Sequence, residues 1–155
     1  MKNSNYSTSI DVDLAPADVF NYFNDVPGWF KDKGFAGNSS NLNDEFIFRY
    51  GSGGHAHYSK QKLVEFVASK KVVWLVTDSM INWIEKNKEE WTNTKMVFEI
   101  STKAGKTVVS FTHEGMVPAL ACYSSCVAGW DMIIKGWLFE FINEGALSKI
   151  NGVNW

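Results

Sequence analysis

The chain has 155 residues, a mass of 17.5 kDa and a formal net charge of −2 at pH 7. This length suits a single domain over residues 1–155, with a core large enough to need no disulfide or metal cross-link. The weak negative charge gives no electrostatic reason to expect binding to nucleic acid or to an anionic membrane surface.

The sequence also argues against membrane insertion and export. A membrane-spanning helix needs roughly 20 continuous apolar residues. Asp131, Lys135 and Glu140 interrupt the most hydrophobic segment of this chain. Residues 1–5 are polar and lack the apolar core of a signal peptide. We therefore expect a cytoplasmic protein that inserts into no membrane.

The first third of the chain predicts a strand followed by two short helices. Polar and apolar residues alternate over residues 6–14, which indicates a strand. A helix follows from residues 15–18, because Pro16 near its first position needs no amide donor. Trp29 and Phe30 are expected in a second short helix or turn. The predicted buried face of the first helix is Val19, Phe20 and Phe23.

The middle of the chain predicts antiparallel hairpins. Residues 44–51 are expected to form a strand with Arg49 on the face opposite its aromatic residues. A turn follows, and then a long strand over residues 55–68 in which Lys60 and Lys62 indicate one solvated side. The continuous apolar run in residues 71–78 predicts a central strand. The aromatic face of the 44–51 strand is Phe46, Phe48 and Tyr50.

The last part of the chain predicts a loop, two more strands and a long helix. Charged residues frame Trp83 and Trp91, which favours an exposed loop or hairpin between residues 79 and 93. Strands are predicted over residues 96–101 and 107–114, and an amphipathic helix over residues 117–145. One face of that helix carries Tyr123, Val127, Trp130, Ile134, Trp137, Leu138 and Phe141. The expected fold class is α+β, a curved antiparallel sheet of about six to seven strands wrapped around the long helix.

Several short segments resemble one protein superfamily. They are Ala-Pro-Ala-Asp-Val-Phe at 15–20, Val-Val-Trp-Leu-Val-Thr-Asp-Ser at 72–79, Phe-Glu-Ile-Ser at 98–101, Phe-Thr-His-Glu-Gly at 111–115 and Gly-Trp at 129–130. Together they are similar to START-like domains, also called SRPBCC, helix-grip or Bet v 1-like domains, in the bacterial branch that resembles the Hsp90 ATPase activator. The resemblance implies a helix-grip fold in which a ligand enters between the sheet and the long helix. The eukaryotic co-chaperone has a separate Hsp90-binding domain, for which this chain has no room.

The abundance of aromatic residues favours a cavity on that scaffold. Seven tryptophans and eleven phenylalanines are more than a domain of this size commonly needs, and apolar cavities with a few polar groups are the usual small-molecule sites. The alternative is that these side chains simply fill the core. The candidate ligand-binding residues are Arg49, Trp74, Met96, Phe98, Phe111, His113, Tyr123, Cys126, Val127, Trp130 and Trp137.

The polar candidates each have a structural alternative. His113 ends an inward strand face and could contact a ligand, but a hydrogen-bonded structural histidine is the expected reading. Arg49 could hold a carboxylate, or it could pair with a glutamate on the surface. Glu114 is expected to be a solvated strand end, and a hydrogen bond to the start of the final helix would suit its charge. Cys122 and Cys126 are expected to be reduced thiols.

Neither a metal ion nor a cofactor is expected. Cys122, Cys126 and His113 are metal-ligand types, but one helical pair and a distant histidine fall short of a zinc set. His55 and His57 flank Ala56 beside a glycine-rich turn and are expected to be solvated. No catalytic residue is assigned, because the sequence supplies no orienting acid at an identifiable spacing.

Three functions remain open, and the first is favoured. It is a non-enzymatic binder of a hydrophobic small molecule or lipid. The second is a cyclase-type or hydratase-type enzyme in which His113 and Tyr123 transfer protons. The third is an interaction module for a protein partner, with Trp83 and Trp91 as the contact residues. The sequence leaves a homodimer open in each case.

Overall fold

The predicted helix-grip architecture is confirmed. The computed structural model describes residues 4–30, 34–51 and 57–150, with side chains up to residue 145. Its described residues form a seven-stranded antiparallel sheet in the order β1-β7-β6-β5-β4-β3-β2. The strands are β1 (Tyr6–Val12), β2 (Ala36–Gly37), β3 (Glu45–Tyr50), β4 (His57–Val67), β5 (Lys71–Ile81), β6 (Lys95–Lys103) and β7 (Lys106–Glu114).

Two short helices and one long helix cover one face of this sheet. The short helices are α1 (Pro16–Asn24) and α2 (Val26–Trp29), as predicted between the first two strands. The long C-terminal helix has three consecutive segments, namely α3 (Tyr123–Asp131), a π-helical segment (Met132–Leu138) and α4 (Phe139–Ile150). No helix among the described residues has the length and apolarity needed to cross a membrane.

Aromatic rings fill the space between the sheet and the short helices. Pro16 begins α1, and Val19 and Phe23 on its inner side are buried. The Phe23 ring lies 5.8 Å from the Trp74 ring of the central strand and 6.1 Å from Trp29 of α2. Trp29 is fixed in turn because its indole N–H donates to the Phe23 carbonyl at 2.7 Å. The short helices are therefore held by the sheet and by each other.

Tyr6 of the edge strand β1 connects the sheet to the C-terminal helix. The Tyr6 hydroxyl donates to the Asp131 carboxylate at the end of α3. Lys135 lies 3.8 Å from the same carboxylate. Burial, followed by the hydrogen bond to Asp131, raises the pKa of Tyr6. The phenol therefore stays protonated and keeps donating at physiological pH.

The C-terminal helix begins later than the sequence predicts. Residues 117–122 form two successive turns, because the Leu120 amide donates to Val117 and the Tyr123 amide to Leu120 at 3.0 and 3.1 Å. Pro118 lies in the first turn, and the helix starts at Tyr123 instead of residue 117. Pro118 therefore lies before the helix, and the turn of residues 120–123 separates it from the first helical residue.

An acidic residue of a distant loop lies at the start of this helix. Glu90 accepts hydrogen bonds from the backbone N–H groups of Ala121 at 3.3 Å and Cys122 at 2.9 Å. Glu114, whose charge would also suit this position, is instead exposed at the end of β7, as predicted for a solvated strand end. Glu90 belongs to the loop between β5 and β6, so it joins that loop to the long helix. This long-range pairing has no local sequence signal.

We predict that Glu90→Ala lowers the free energy of unfolding by about 1–2 kcal/mol, because the amides before the helix lose a charged acceptor. Glu89→Ala, next in sequence and exposed, is the matched control and should change stability by less than about 0.5 kcal/mol. Urea denaturation followed by circular dichroism measures both. Equal effects of the two substitutions would show that Glu90 contributes no more than an ordinary surface charge.

Candidate functional site

An apolar pocket lies between the C-terminal helix, the ends of β3 and β4, and the loop of residues 82–94. Its volume is about 40 Å³, and about 410 Å³ when the open mouth is included. Both sheet and helix supply its walls, as a helix-grip fold implies. Among the described residues it is lined by Phe30, Phe48, Tyr50, His57, Trp83, Trp91, Ser125, Cys126, Gly129, Trp130 and Ile133.

Trp91 closes the inner side of this pocket. Its ring stacks on Trp130 of α3 with 5.8 Å between centroids and 7° between planes. The His57 ring lies nearly perpendicular to the Trp91 ring, with 4.1 Å between the ring centroids. Its indole N–H donates to the Cys122 sulfur at 3.4 Å. Trp91 is 4% exposed, so the loop that carries it is anchored in the core.

His113 lies behind the tryptophan pair and is fully hydrogen bonded. The Trp130 indole N–H donates to His113 Nδ1 at 3.1 Å, so Nδ1 must be the unprotonated nitrogen. His113 Nε2 therefore carries the proton and donates to Thr94 Oγ1 at 2.8 Å. The Thr94 hydroxyl in turn donates to the Trp91 carbonyl at 2.6 Å. Burial lowers the pKa of His113 to about 3, and the ring is neutral.

His57 differs from His113 because one of its ring nitrogens is available to a ligand. The prediction that His57 is solvated is wrong, because it lines the pocket and is 7% exposed. Its Nε2 atom has no hydrogen-bond partner among the described residues. Burial lowers the pKa of His57 to about 4, so the ring is neutral. A neutral imidazole nitrogen in an apolar pocket can donate to or accept from a small polar group.

The two cysteines are free, as predicted, and both are buried. The adjacent Cys126 thiol and burial raise the pKa of Cys122. Cys122 therefore stays a thiol and is a poor nucleophile. The described part of the chain brings together no group of three or more side chains suited to hold a metal ion. His55 lies outside the described residues.

The predicted cavity residues divide between the pocket and the core. Cys126 and Trp130 line the pocket. Trp137 borders it, with its ring 5.5 Å from Phe30. Tyr123 and Val127 are partly buried against the core. The remaining apolar candidates are fully buried beneath the pocket and do not line it, and they are Trp74, Met96, Phe98 and Phe111.

Arg49 lies on the other side of the sheet. It is exposed, and its guanidinium lies 5.6 Å from the centre of the Tyr58 ring. Its side chain alternates with the buried Phe48, as the period-two pattern predicts. Because the pocket is on the concave face, this placement does not bring Arg49 to a ligand there.

Trp83 and Trp91 occupy a different position from the exposed one predicted for them. Both rings line the pocket, and Trp91 is almost fully buried. The charged residues around them suggested a solvated loop, whereas Lys88 instead binds the loop carbonyls of Asn82 and Ile84 at 2.6 and 2.5 Å. The charges thus stabilise the loop while its tryptophans point inward.

The sequence reasoning missed the pocket residues contributed by β4 and by the small side chains of the helix. Burial alternates along β4, with His57, Ser59 and Gln61 inside and Lys60 and Lys62 partly exposed. Lys60 and Lys62 indicated the solvated side of this strand, and both are partly exposed as expected. The opposite side is also polar, so nothing in the sequence indicated that it contributes to a pocket.

No protein-family model matches this sequence, and no curated protein matches it. The fold is nevertheless shared with solved structures. The Aha1 dimer from Colwellia psychrerythraea is similar with a TM-score of 0.61 and 18% identity, over 86% of this chain and 98% of that chain. Protein MLL2253 from Mesorhizobium loti has a TM-score of 0.69 at 10% identity, over 91% and 98% of the two chains. CalU16 from Micromonospora echinospora has a TM-score of 0.59 at 12% identity, over 92% of this chain and 78% of that chain.

These likenesses establish the fold and leave the activity to the site itself. The chain has the START-like, helix-grip fold that the sequence resemblance implies.

We predict that stability falls steeply on acidification. The folded-state pKa values of His57 and His113, about 4 and about 3, lie below the ordinary value of 6.5. The unfolded chain therefore binds more protons in this range, and stability that is complete above pH 6.5 is lost as the pH falls toward 4. Each histidine contributes a slope of about 1.4 kcal/mol per pH unit.

Urea denaturation at a series of pH values between 7 and 4.5 measures this slope. His113→Gln should lower stability at pH 7 through lost packing, and it should also remove about half of the histidine-dependent slope. A slope unchanged by the substitution would mean that His113 titrates alike in the folded and unfolded chain.

Proposed function

We propose that this protein binds a small, largely apolar molecule between the sheet and the C-terminal helix, at the pocket closed by Trp83 and Trp91. The observation that carries this proposal is the lining. The lining is mainly aromatic and aliphatic, and it includes His57, whose Nε2 atom is buried and has no partner among the described residues. Apolar walls with a few polar groups are typical of small-molecule sites.

The size of the pocket favours a compact ligand over a long-chain lipid. The cavity volume of about 40 Å³ is well below the roughly 300–1,000 Å³ of known ligand pockets. At about 40 Å³ it is also smaller than the roughly 150 Å³ cavity that holds one benzene ring. A ligand of one or two rings must therefore move some lining side chains aside.

The π-helical segment supplies an element that can move. It spans Met132–Leu138 and carries Ile133 in the pocket lining and Trp137 at its border. π-helical turns are rare, are less favourable than α-helix and occur frequently at functional sites. Conversion of this segment to α-helix would rotate those side chains relative to the sheet. We infer that this change accompanies ligand binding.

The geometry supports binding over catalysis through His113. Both nitrogens of that ring are engaged in hydrogen bonds, and the Trp91 and Trp130 rings lie against it. Tyr123, its proposed proton-transfer partner, is not among the described lining residues. A proton shuttle through these two residues would need both to leave their present partners or positions.

A protein partner is a weaker proposal for this surface, because Trp91 is buried. The neighbour from Colwellia psychrerythraea is a dimer, and a homodimer of this chain is compatible with that likeness. A cytoplasmic location and a single domain over residues 1–155 stay predictions.

Burying about 200 Å² of ligand surface at ~25 cal/mol per Å² supplies about 5 kcal/mol, which corresponds to submillimolar binding. We therefore expect 2-naphthol to bind with one site per chain and to shift the indole N–H resonances of Trp83 and Trp91 in a two-dimensional NMR titration. Native mass spectrometry of protein purified from its own host would then identify the natural ligand.

Gly129→Leu should weaken 2-naphthol binding at least about tenfold. Gly129 lines the pocket, and a Cβ atom at this position meets no other atom within 4 Å, so a leucine side chain can occupy the ligand space. Leucine also has a higher helix propensity than glycine, so the variant should fold.

Ala128→Leu is the matched control, because Ala128 is the neighbouring residue of α3, is exposed and lies outside the described lining. It should leave the affinity for 2-naphthol within about twofold of the parent protein. Unchanged binding to the Gly129 variant, or no binding to the parent, would refute the proposed site.

A further inference from the structure

A row of polar side chains runs along the inner face of β4. His57, Ser59 and Gln61 alternate along the strand, and all three are buried, with exposures of 7%, 0% and 0%. Ser59 pairs with Phe48 of β3 and Gln61 pairs with Phe46. Paired residues of an antiparallel sheet lie on the same face, so the row is embedded among aromatic rings.

The polar atoms in this row have no hydrogen-bond partners among the described residues. They are His57 Nε2, Ser59 Oγ and both amide atoms of Gln61, and the nearby Trp74 indole nitrogen is a fifth. Only one other buried side-chain atom in the described part of the chain, Asn24 Oδ1, is in the same condition. Buried polar groups are normally paired, because leaving them unpaired destabilises the folded state.

Elsewhere the same fold pairs its buried polar groups. Ser79, which faces Ser59 across β4 and β5, is 1% exposed and lies 2.8 Å from the Thr92 hydroxyl. Thr107 donates to the Leu14 carbonyl at 2.5 Å. His113 has partners at both ring nitrogens. The unpaired atoms are therefore concentrated in one place and are not a general property of this core.

The row begins at the pocket and continues beneath its lining, because Ser59 and Gln61 are fully buried and a ligand reaches them only by displacing lining side chains. His57 lines the pocket, and so does Phe48, the cross-strand neighbour of Ser59. Alternate residues of a strand are about 6.7 Å apart, so the row leads from the pocket wall toward the centre of the sheet. Two pairs of stacked rings line the pocket where the row begins. The angle between the ring planes is 10° for Phe30 and Phe48, and 7° for Trp91 and Trp130.

We propose that this row determines specificity, and that the ligand is a planar ring system with hydroxyl or carbonyl groups along one edge. This inference rests on the proposed function above. The flat walls select a planar body. Its polar edge hydrogen bonds to His57 Nε2, to Ser59 Oγ and to the Gln61 amide, which both donates and accepts. A plain hydrocarbon or an acyl chain leaves those atoms unpaired and binds less tightly.

Two related probes test this assignment. We expect 2,6-dihydroxynaphthalene to bind at least about tenfold more tightly than 2-naphthol, because its second hydroxyl reaches further along the row. Ser59→Ala and Gln61→Leu should each reduce this preference to less than about threefold while the affinity for 2-naphthol changes by less than about twofold. Isothermal titration calorimetry at constant pH measures both probes.

Thermal unfolding of the unliganded variants gives an independent readout. Ser59→Ala and Gln61→Leu should maintain or raise the unfolding temperature, because each removes an unpaired buried group. Ser79→Ala is the matched control. It breaks a hydrogen bond, so it should lower the unfolding temperature and leave the preference between the probes unchanged.

The outcomes separate the two proposals. Equal affinity of the parent protein for both probes, or an unchanged preference in both row variants, overturns the specificity assignment and leaves the pocket intact. A loss of stability in Ser59→Ala equal to that in Ser79→Ala also overturns it, because Ser59 would then be paired within the fold. No binding of either probe to the parent protein overturns the proposed function and the inference with it.

Discussion

The seating of Trp91 against Trp130 is the contact on which the rest of the site depends. A closed chain of hydrogen bonds supports it, from the Trp130 indole through His113 and Thr94 to the carbonyl of Trp91 itself. The loop between β5 and β6, the last strand and the long helix each contribute one part. Glu90, one residue earlier, fixes the start of the same helix. Displacement of the Trp91 ring would therefore disturb all three elements together.

Two histidines on separate strands, His57 of β4 and His113 of β7, show how their surroundings distinguish a structural role from a ligand-binding role. His113 and His57 are both buried and neutral, and Trp91 meets the ring of each. His113 uses both nitrogens within the fold. His57 keeps Nε2 for the pocket. The hydrogen-bond partners, more than burial or pKa, decide which ring is available to a ligand.

The aromatic content of the chain serves two purposes at once. Rings around Trp74 and Phe98 form a filled core beneath the short helices. Rings around Trp91 border a small pocket with an open mouth. The π-helical segment, Met132–Leu138, spans the boundary between the two regions. A fold built in this way combines a rigid core with one region whose packing can change when a ligand binds.

The sequence by itself determined the α+β class, the number of strands to within one, the separation of β3 into two different faces and the free thiols, because periodicity and residue type act locally. Only the tertiary structure showed that Trp91 is buried in the core and that Glu90 accepts hydrogen bonds from the amides at the start of the helix. It also showed that the polar side of β4 marked by Ser59 faces inward. These features depend on partners about 30 residues or more away, or on the curvature of the whole sheet, and no local pattern encodes them. The pocket is formed by segments that are distant in sequence. Its lining residues could therefore be identified only from the tertiary structure.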